Sequence, residues 1–146
     1  ELQSAMSLKA RVTLVKRVEE AIGVSYGKEY ITTPPATIAT IPIGYADGYS
    51  RLLAGKAEML WHGKRLPVVG RICMDQCMID ATNANNIEVD DIVTVMGSDG
   101  GACISATELA HHMGTINYEI VCLIGKRIPR VYTSNGSVVR ALNNLV

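Results

Sequence analysis

Four side chains in this sequence have types that could do chemistry together: Tyr26, Tyr45, Arg51 and Arg71. A phenol has a pKa of about 10, so it serves as a base near neutrality only where nearby cations, or a hydrogen bond to the phenolate, lower that value. Arg51 and Arg71 are the available cations. Tyr26 lies in Gly23-Val24-Ser25-Tyr26-Gly27, where small neighbours leave room for a ligand beside the phenol. The same setting also suits a barrel residue whose hydroxyl points into water. Tyr45 opens Tyr45-Ala46-Asp47-Gly48-Tyr49-Ser50-Arg51, a loop both polar and aromatic. Binding groups concentrate on such loops, although Asp-Gly is also ordinary turn chemistry. Six tyrosines, one tryptophan and no phenylalanine imply that several hydroxyls are in use, since packing alone would draw on phenylalanine somewhere. Residue types leave open which tyrosine acts and on what.

Arg71 belongs to Val68-Val69-Gly70-Arg71-Ile72-Cys73-Met74-Asp75-Gln76-Cys77-Met78-Ile79-Asp80, a stretch that reads as one strand despite its polar residues. In a pleated segment Arg71, Cys73, Asp75 and Cys77 share one face, and Ile72, Met74, Gln76 and Met78 the other. Neither face is cleanly apolar. A strand of this kind runs from a barrel wall into a site; the plainer alternative is an Arg71 to Asp75 ion pair on a solvated edge.

The rest of the chain supplies the scaffold. From Met6 to Val18 apolar residues fall on even positions, which predicts a half-buried antiparallel strand. Val24 begins a further extended piece that includes Tyr26. After Thr32-Thr33-Pro34-Pro35, a β-branched strand runs from Thr37 to Pro42. Ala57 to Trp61 and Arg65 to Val69 read as a hairpin around His62-Gly63-Lys64, and Asp91 to Gly97 as another strand. Ser105-Ala106-Thr107-Glu108 matches a capping box, with Gly114 as the helix stop and His111 and His112 in the last turn, where positive charge suits the helix dipole. A second short helix from Thr115 or Asn117 carries Tyr118, Ile120, Val121 and Ile124. Ile128 to Tyr132 is extended again, and Ser134 to Ser137 turns the tail back. The expected fold is mostly β, a barrel with one or two short α-helices.

A chain of 146 residues, 48% hydrophobic and with zero formal net charge, suits one globular domain over 1–146. No basic excess points to nucleic acid or anionic lipid, and no apolar run approaches the roughly twenty residues of a membrane helix. No secretory signal is recognisable, so a cytoplasmic location is expected. Cys73, Cys77, Cys103 and Cys122 form no C-x-x-C and have no suitably spaced histidine, so they read as reduced core residues with neither metal nor disulfide. The opening Glu1-Leu2-Gln3-Ser4 reads as a piece cut from a longer chain.

Five motifs, taken in order, carry a resemblance: Met6-Ser7-Leu8-Lys9-Ala10-Arg11, Val24-Ser25-Tyr26-Gly27, Ile41-Pro42-Ile43-Gly44-Tyr45-Ala46-Asp47-Gly48-Tyr49, Gly70-Arg71-Ile72-Cys73-Met74-Asp75-Gln76 and Thr115-Ile116-Asn117-Tyr118-Glu119. From about Met6 to Tyr132 the chain resembles the C-terminal domain of bacterial alanine racemases. The resemblance implies a β-barrel domain that follows a pyridoxal-phosphate-binding (β/α) barrel absent from this chain, in an enzyme interconverting L- and D-alanine for peptidoglycan. It makes Tyr26 the base that removes or returns the α-proton on the L face, with the cofactor lysine serving the opposite face. Met74 becomes the residue whose backbone amide holds the substrate carboxylate, and Tyr45 the aromatic that narrows the substrate entrance. Arg51 and Arg71 line that corridor, and Tyr118 hydrogen-bonds the cofactor phosphate.

None of Lys9, Lys16, Lys28, Lys56, Lys64 or Lys126 sits in the family's Lys-Ala-Asn-Ala-Tyr-Gly-like context. The cofactor lysine is therefore expected in the missing domain. Full-length members are head-to-tail homodimers in which Tyr26 and Met74 would reach the partner's cofactor, so the isolated chain is expected to be inactive. A free-standing β-barrel binding module is the runner-up. A hydrolase using Cys73 and His111 is a third reading, disfavoured because nothing near Cys73 in the sequence activates it.

Overall fold

The computed structural model describes residues 4–144. Its main sheet draws on β1 (Leu8–Arg11), β2 (Leu14–Val18), β5 (Ala36–Ile41), β6 (Glu58–Trp61), β7 (Lys64–Val69), β8 (Cys77–Asp80), β9 (Ile92–Asp99) and β10 (Ala102–Ile104). Two small hairpins stand apart, β3 (Gly23–Val24) with β4 (Tyr30–Ile31) and β11 (Arg130–Ser134) with β12 (Ser137–Leu142). The helices are α1 (Ala106–Met113) and α2 (Asn117–Leu123).

The main sheet is antiparallel, in the order β1-β9-β6-β7-β8-β5-β2, with β10 also on β9. Its two edges, β1 and β2, are consecutive in the chain. The single strand expected from Met6 to Val18 is thus two: the Val12 amide turns to the Asp91 carbonyl (2.8 Å) and the Thr13 amide to the Thr40 carbonyl (3.0 Å). One segment has to serve both edges, so it breaks between partners. The even-position rule breaks with it, and Leu14 is 54% exposed. The ladder is not closed by hydrogen bonds; covalent chain bridges the seam of the expected barrel.

The hairpin of β6 and β7 forms as predicted, with Trp61 opposite Lys64 and His62 (φ 48°) and Gly63 (φ 79°) in the left-handed turn. Met59, Leu60, Leu66 and Val68 place it in the main core with Val12, Ile41, Ile79, Val93 and Val95. Beyond Val69 the expected strand over 68–80 fails. Gly70 is left-handed (φ 67°), and a Cβ there would lie 2.8 Å from the Val24 carbonyl oxygen. The chain leaves the sheet to pass under the β3 and β4 hairpin, and the ladder resumes at Cys77. Tyr26 is likewise not extended: Tyr26–Lys28 is a 3-10 turn between β3 and β4.

Helix α1 starts and stops where predicted, with the Glu108 amide donating to Ser105 Oγ (3.0 Å) and Gly114 left-handed (φ 75°). The reciprocal half of the capping box is missing. Glu108 instead accepts from Arg65 at 2.6 and 3.1 Å, and Arg65 also binds Glu58 at 2.9 Å and the Cys103 carbonyl at 2.7 Å. That tie clamps α1 to β7, while Leu109, Ala110 and Ile120 enter the core. All four thiols are free; Cys77 is buried, but Cys103 and Cys122 are exposed, so the expectation of core cysteines fails for those two. Among the described residues no helix is long and apolar enough to cross a membrane.

Two outcomes follow for stability. The hydrogen bonds from Arg65 hold the Glu108 carboxyl below its ordinary 4.5, against the burial that raises it. Its stabilisation is therefore complete above the unfolded value and disappears as pH falls through the lower folded value. Glu108→Gln should cost about 0.5–1 kcal/mol at neutral pH and nothing in strong acid, measured by denaturant unfolding at both. The Tyr49 hydroxyl is buried without a partner among the described residues, unlike the expectation that tyrosine hydroxyls are in use. Removing it leaves no orphaned acceptor, and Tyr49→Phe should hold or raise stability by up to about 1 kcal/mol in the same assay.

Candidate active site

Tyr26 is presented by a turn that an ordinary sequence avoids. Ser25 (φ 64°, ψ −175°), Gly27 (φ 76°) and Lys28 (φ 50°) all have positive φ. Ser25 sits in a region that is nearly glycine-only and costs on the order of 1–3 kcal/mol. Its side chain holds it there: Ser25 Oγ donates to the Arg71 carbonyl at 2.7 Å. The Arg71 guanidinium packs on the same turn, 3.4 Å from where a Cβ on Gly27 would stand, and pairs with Glu29. The consequence is a phenol thrust outward, with Tyr26 73% exposed.

The facing wall is the loop Gly70–Gln76, locked to the loop that carries Tyr45. Tyr45 and Ala46 amides donate to the Cys73 and Met74 carbonyls at 3.1 and 3.0 Å, and the Cys73 amide to the Gln76 carbonyl at 2.9 Å. A Cβ on Gly44 would lie 2.3 Å from both Cys73 and Met74 carbonyl oxygens. Glycine is required there for space, since φ −147° suits any residue. Asp47, almost wholly buried, accepts from the Gly44 amide at 3.0 Å and meets Arg127 at 3.4 Å, while Arg127 also binds Asp75 at 2.6 Å. Met74 is half-exposed, and its own amide has no acceptor among the described residues.

Tyr26, Tyr45, Arg51, Arg71 and Met74 line one cleft of about 540 Å³, with Ile72, Cys73, Asp75 and Gln76. Five of the six predicted site residues are thereby brought together. Tyr118 is not among the lining residues; it stands on α2, 73% exposed. The cleft continues past Arg51 and Arg71 into a second hollow of about 520 Å³ that Glu29 and Leu52 also line.

The strand-face expectation for 71–77 does not hold, because the segment is not a strand: residues of both parities, from Arg71 to Gln76, reach the same cleft. The Arg71 to Asp75 pair does not form either. Arg71 goes to Glu29 and Asp75 to Arg127. The Arg71 hydrogen bond, opposed by burial and helped by the charges of Arg71 and Arg51, holds the Glu29 carboxyl below its ordinary range. Ser25, Glu29, Asp47 and Arg127 were not singled out from the sequence. Their partners lie 42 residues or more away for Ser25 and Glu29, and no local spacing marks them. Cys73 meets Ser25 Oγ at 3.6 Å, and His111 is not in the cleft, so the cysteine-nucleophile reading finds no base.

Chemically, the cleft offers an outward phenol and two guanidinium groups, one of them already paired with Glu29. No lysine lines it, so any carbonyl cofactor working here is anchored by residues other than these.

The family described as alanine racemase, C-terminal domain, matches residues 5–132. An alanine racemase of Clostridium perfringens is 48% identical over 143 residues, 98% of this chain and 37% of that protein. The structure of alanine racemase from Bacillus anthracis with bound L-Ala-P superposes with a TM-score of 0.90 at 45% identity, over 95% of this chain and 35% of that one. Alanine racemase from Bartonella henselae with covalently bound pyridoxal phosphate does so with a TM-score of 0.81 at 34% identity, over 87% and 34% of the two chains. This chain thus spans little more than a third of its relatives' length.

The Ser25 geometry makes an ordered expectation. Ser25→Ala keeps the strained backbone and loses the bond to Arg71, whereas Ser25→Gly loses the bond and relieves the strain. Ser25→Ala should be the less stable of the two by about 1 kcal/mol, read by thermal or denaturant unfolding.

Proposed function

The chain belongs to the alanine racemase C-terminal domain family, and on that premise we propose that it supplies one half of a pyridoxal-phosphate-dependent alanine racemase site. The observation that carries the reading is the single cleft lined by both the exposed Tyr26 and Met74, whose amide has no acceptor among the described residues. A module kept only for binding would have no need of that pairing.

Pyridoxal phosphate, when bound, acts as an electron sink that acidifies the substrate's α-hydrogen. Tyr26 Oη takes that proton from, or returns it to, the L face, and a lysine outside this chain serves the opposite face. Two bases on opposite sides allow inversion without turning the substrate over. The Met74 amide donates to the substrate carboxylate, a contact set by the backbone of the loop and indifferent to the thioether. Tyr45 narrows the approach, and Arg51 and Arg71 line it. Tyr118 binds the cofactor phosphate. Its position outside the cleft supports an arrangement in which one domain contributes to two cofactor sites, as in a head-to-tail homodimer: Tyr118 to one, Tyr26 and Met74 to the partner's.

The substrate is alanine, and the product D-alanine serves peptidoglycan in the cytoplasm. The racemases of Bacillus anthracis, with its L-Ala-P, and of Bartonella henselae, with its covalent cofactor, support the ligand classes. Neutral net charge supports a partner list without nucleic acid or membrane.

In the full-length enzyme, Tyr26→Phe should lower kcat by about 10²–10⁴-fold while the cofactor's absorbance and affinity stay unchanged. Undiminished turnover in both directions overturns the assignment. The isolated chain, given pyridoxal phosphate and L-alanine, should form D-alanine no faster than free cofactor does.

A further inference from the structure

We propose that Tyr30 and Asp80 are positioning residues whose hydrogen bond sets the distance between the Tyr26 phenol and the Met74 amide. The inference rests on the reading of Tyr26 as the proton-transferring group. The hairpin that carries Tyr26 is held by few attachments. Its ladder has two rungs, Gly23 with Ile31 and Val24 with Tyr30, and it pairs with no strand of the main sheet. At its tip, Ser25 and Glu29 both bind Arg71, but Arg71 lies in the loop that has itself left the sheet. Those two contacts join the tip to the loop that carries Met74, and neither reaches a strand of the main sheet.

Val24 packs on Ile38, Val69 and Met78 of the sheet, and Tyr30 adds a directed hydrogen bond to it. Its hydroxyl donates to Asp80 Oδ2 at 2.7 Å, and Asp80 lies in β8 opposite Ile38 of β5, inside the main sheet. The other carboxylate oxygen, Oδ1, accepts from the amide (2.9 Å) and hydroxyl of Thr82, which fixes the carboxylate's orientation. The Tyr30 ring packs against Val24, Ile38, Val69 and Met78, a small apolar cluster separate from the main core. The tie therefore joins the chain four residues beyond Tyr26 to the strand that begins three residues beyond Met74.

The bond persists across the working pH range. Its hydrogen bond to Asp80, with burial, pushes the Tyr30 phenol up to about 12, so it stays a donor. Burial raises the Asp80 carboxyl, but the hydrogen bonds from Thr82 and Tyr30 outweigh it and leave the group below its ordinary range, so it stays an acceptor.

Tyr30→Phe removes the hydroxyl and keeps the ring in its cluster; Asp80→Asn removes the charge and keeps the shape. Both are made in the full-length holoenzyme. Amide hydrogen exchange in β3, β4 and at Lys28 should quicken about tenfold with β5 and β8 unchanged. Racemisation should slow by about tenfold or more, as for a base displaced by a fraction of an ångström. In deuterium oxide, α-hydrogen exchange into D-alanine without inversion, served by the opposite base, should continue, so its ratio to racemisation rises. Unchanged exchange in the hairpin, or a uniform loss of both reactions with the ratio constant, overturns the proposal. Tyr26→Phe is the control. If Tyr26→Phe leaves the ratio at the wild-type value, the assignment of Tyr26 fails and the proposal fails with it. If Tyr26→Phe raises the ratio and Tyr30→Phe does not, only the positioning role fails.

Discussion

Arg71 engages the Tyr26 turn twice, and the geometry of the cleft depends on that double hold. Its carbonyl accepts the Ser25 hydroxyl at 2.7 Å, and its guanidinium takes Glu29 on the far side of the same turn. The carbonyl contact is neutral and partly buried, so salt and pH leave it in place. The guanidinium contact is exposed and weak, as surface pairs are. Together they bracket Tyr26 between Ser25 and Glu29. A left-handed serine survives in such a place only because the surroundings impose it more strongly than its own preference opposes it.

The barrel supplies the rigid reference for these irregular segments. Its seam lies at Val12 and Thr13, far in sequence from every lining residue, and the two edges meet there through covalent chain. Both site loops leave the sheet on one side: Gly70–Gln76 between β7 and β8, and the Tyr45 loop directly after β5, the neighbour of β8. Because β5 and β8 are paired, the loops emerge side by side, and the amides of Tyr45 and Ala46 find the carbonyls of Cys73 and Met74 without any long-range adjustment. Function sits on loops here, and the sheet decides which loops are neighbours.

Elements with local signals were legible in the sequence. The hairpin over 58–69 announces itself by the short glycine turn at His62-Gly63, and α1 by Ser105 and Gly114. What failed were inferences that needed to know a distant partner. Nothing near Gly70 says that Val24 will press against it, so the apolar run from Val68 looked like uninterrupted strand. Nothing near Leu14 says that its strand has changed neighbours. Motif order reaches past local geometry: Tyr26, Tyr45, Arg51, Arg71 and Met74 line one cleft although no strand carries Arg71 and Met74. The supporting charges, Glu29 and Arg127, carry no motif and became visible only with their partners.

The charge arrangement bears on what the cleft can accept. Arg71 is already matched by Glu29, and Asp75 by Arg127, which Asp47 also engages. Arg51 lines the cleft with no carboxylate at ion-pair distance among the described residues. The cleft therefore presents one unmatched guanidinium rather than two bare cations. Two bare cations would favour dianions; here one guanidinium is unmatched and the other is offset by Glu29. The acids that hold the loops in place thus also temper the positive field over the cleft.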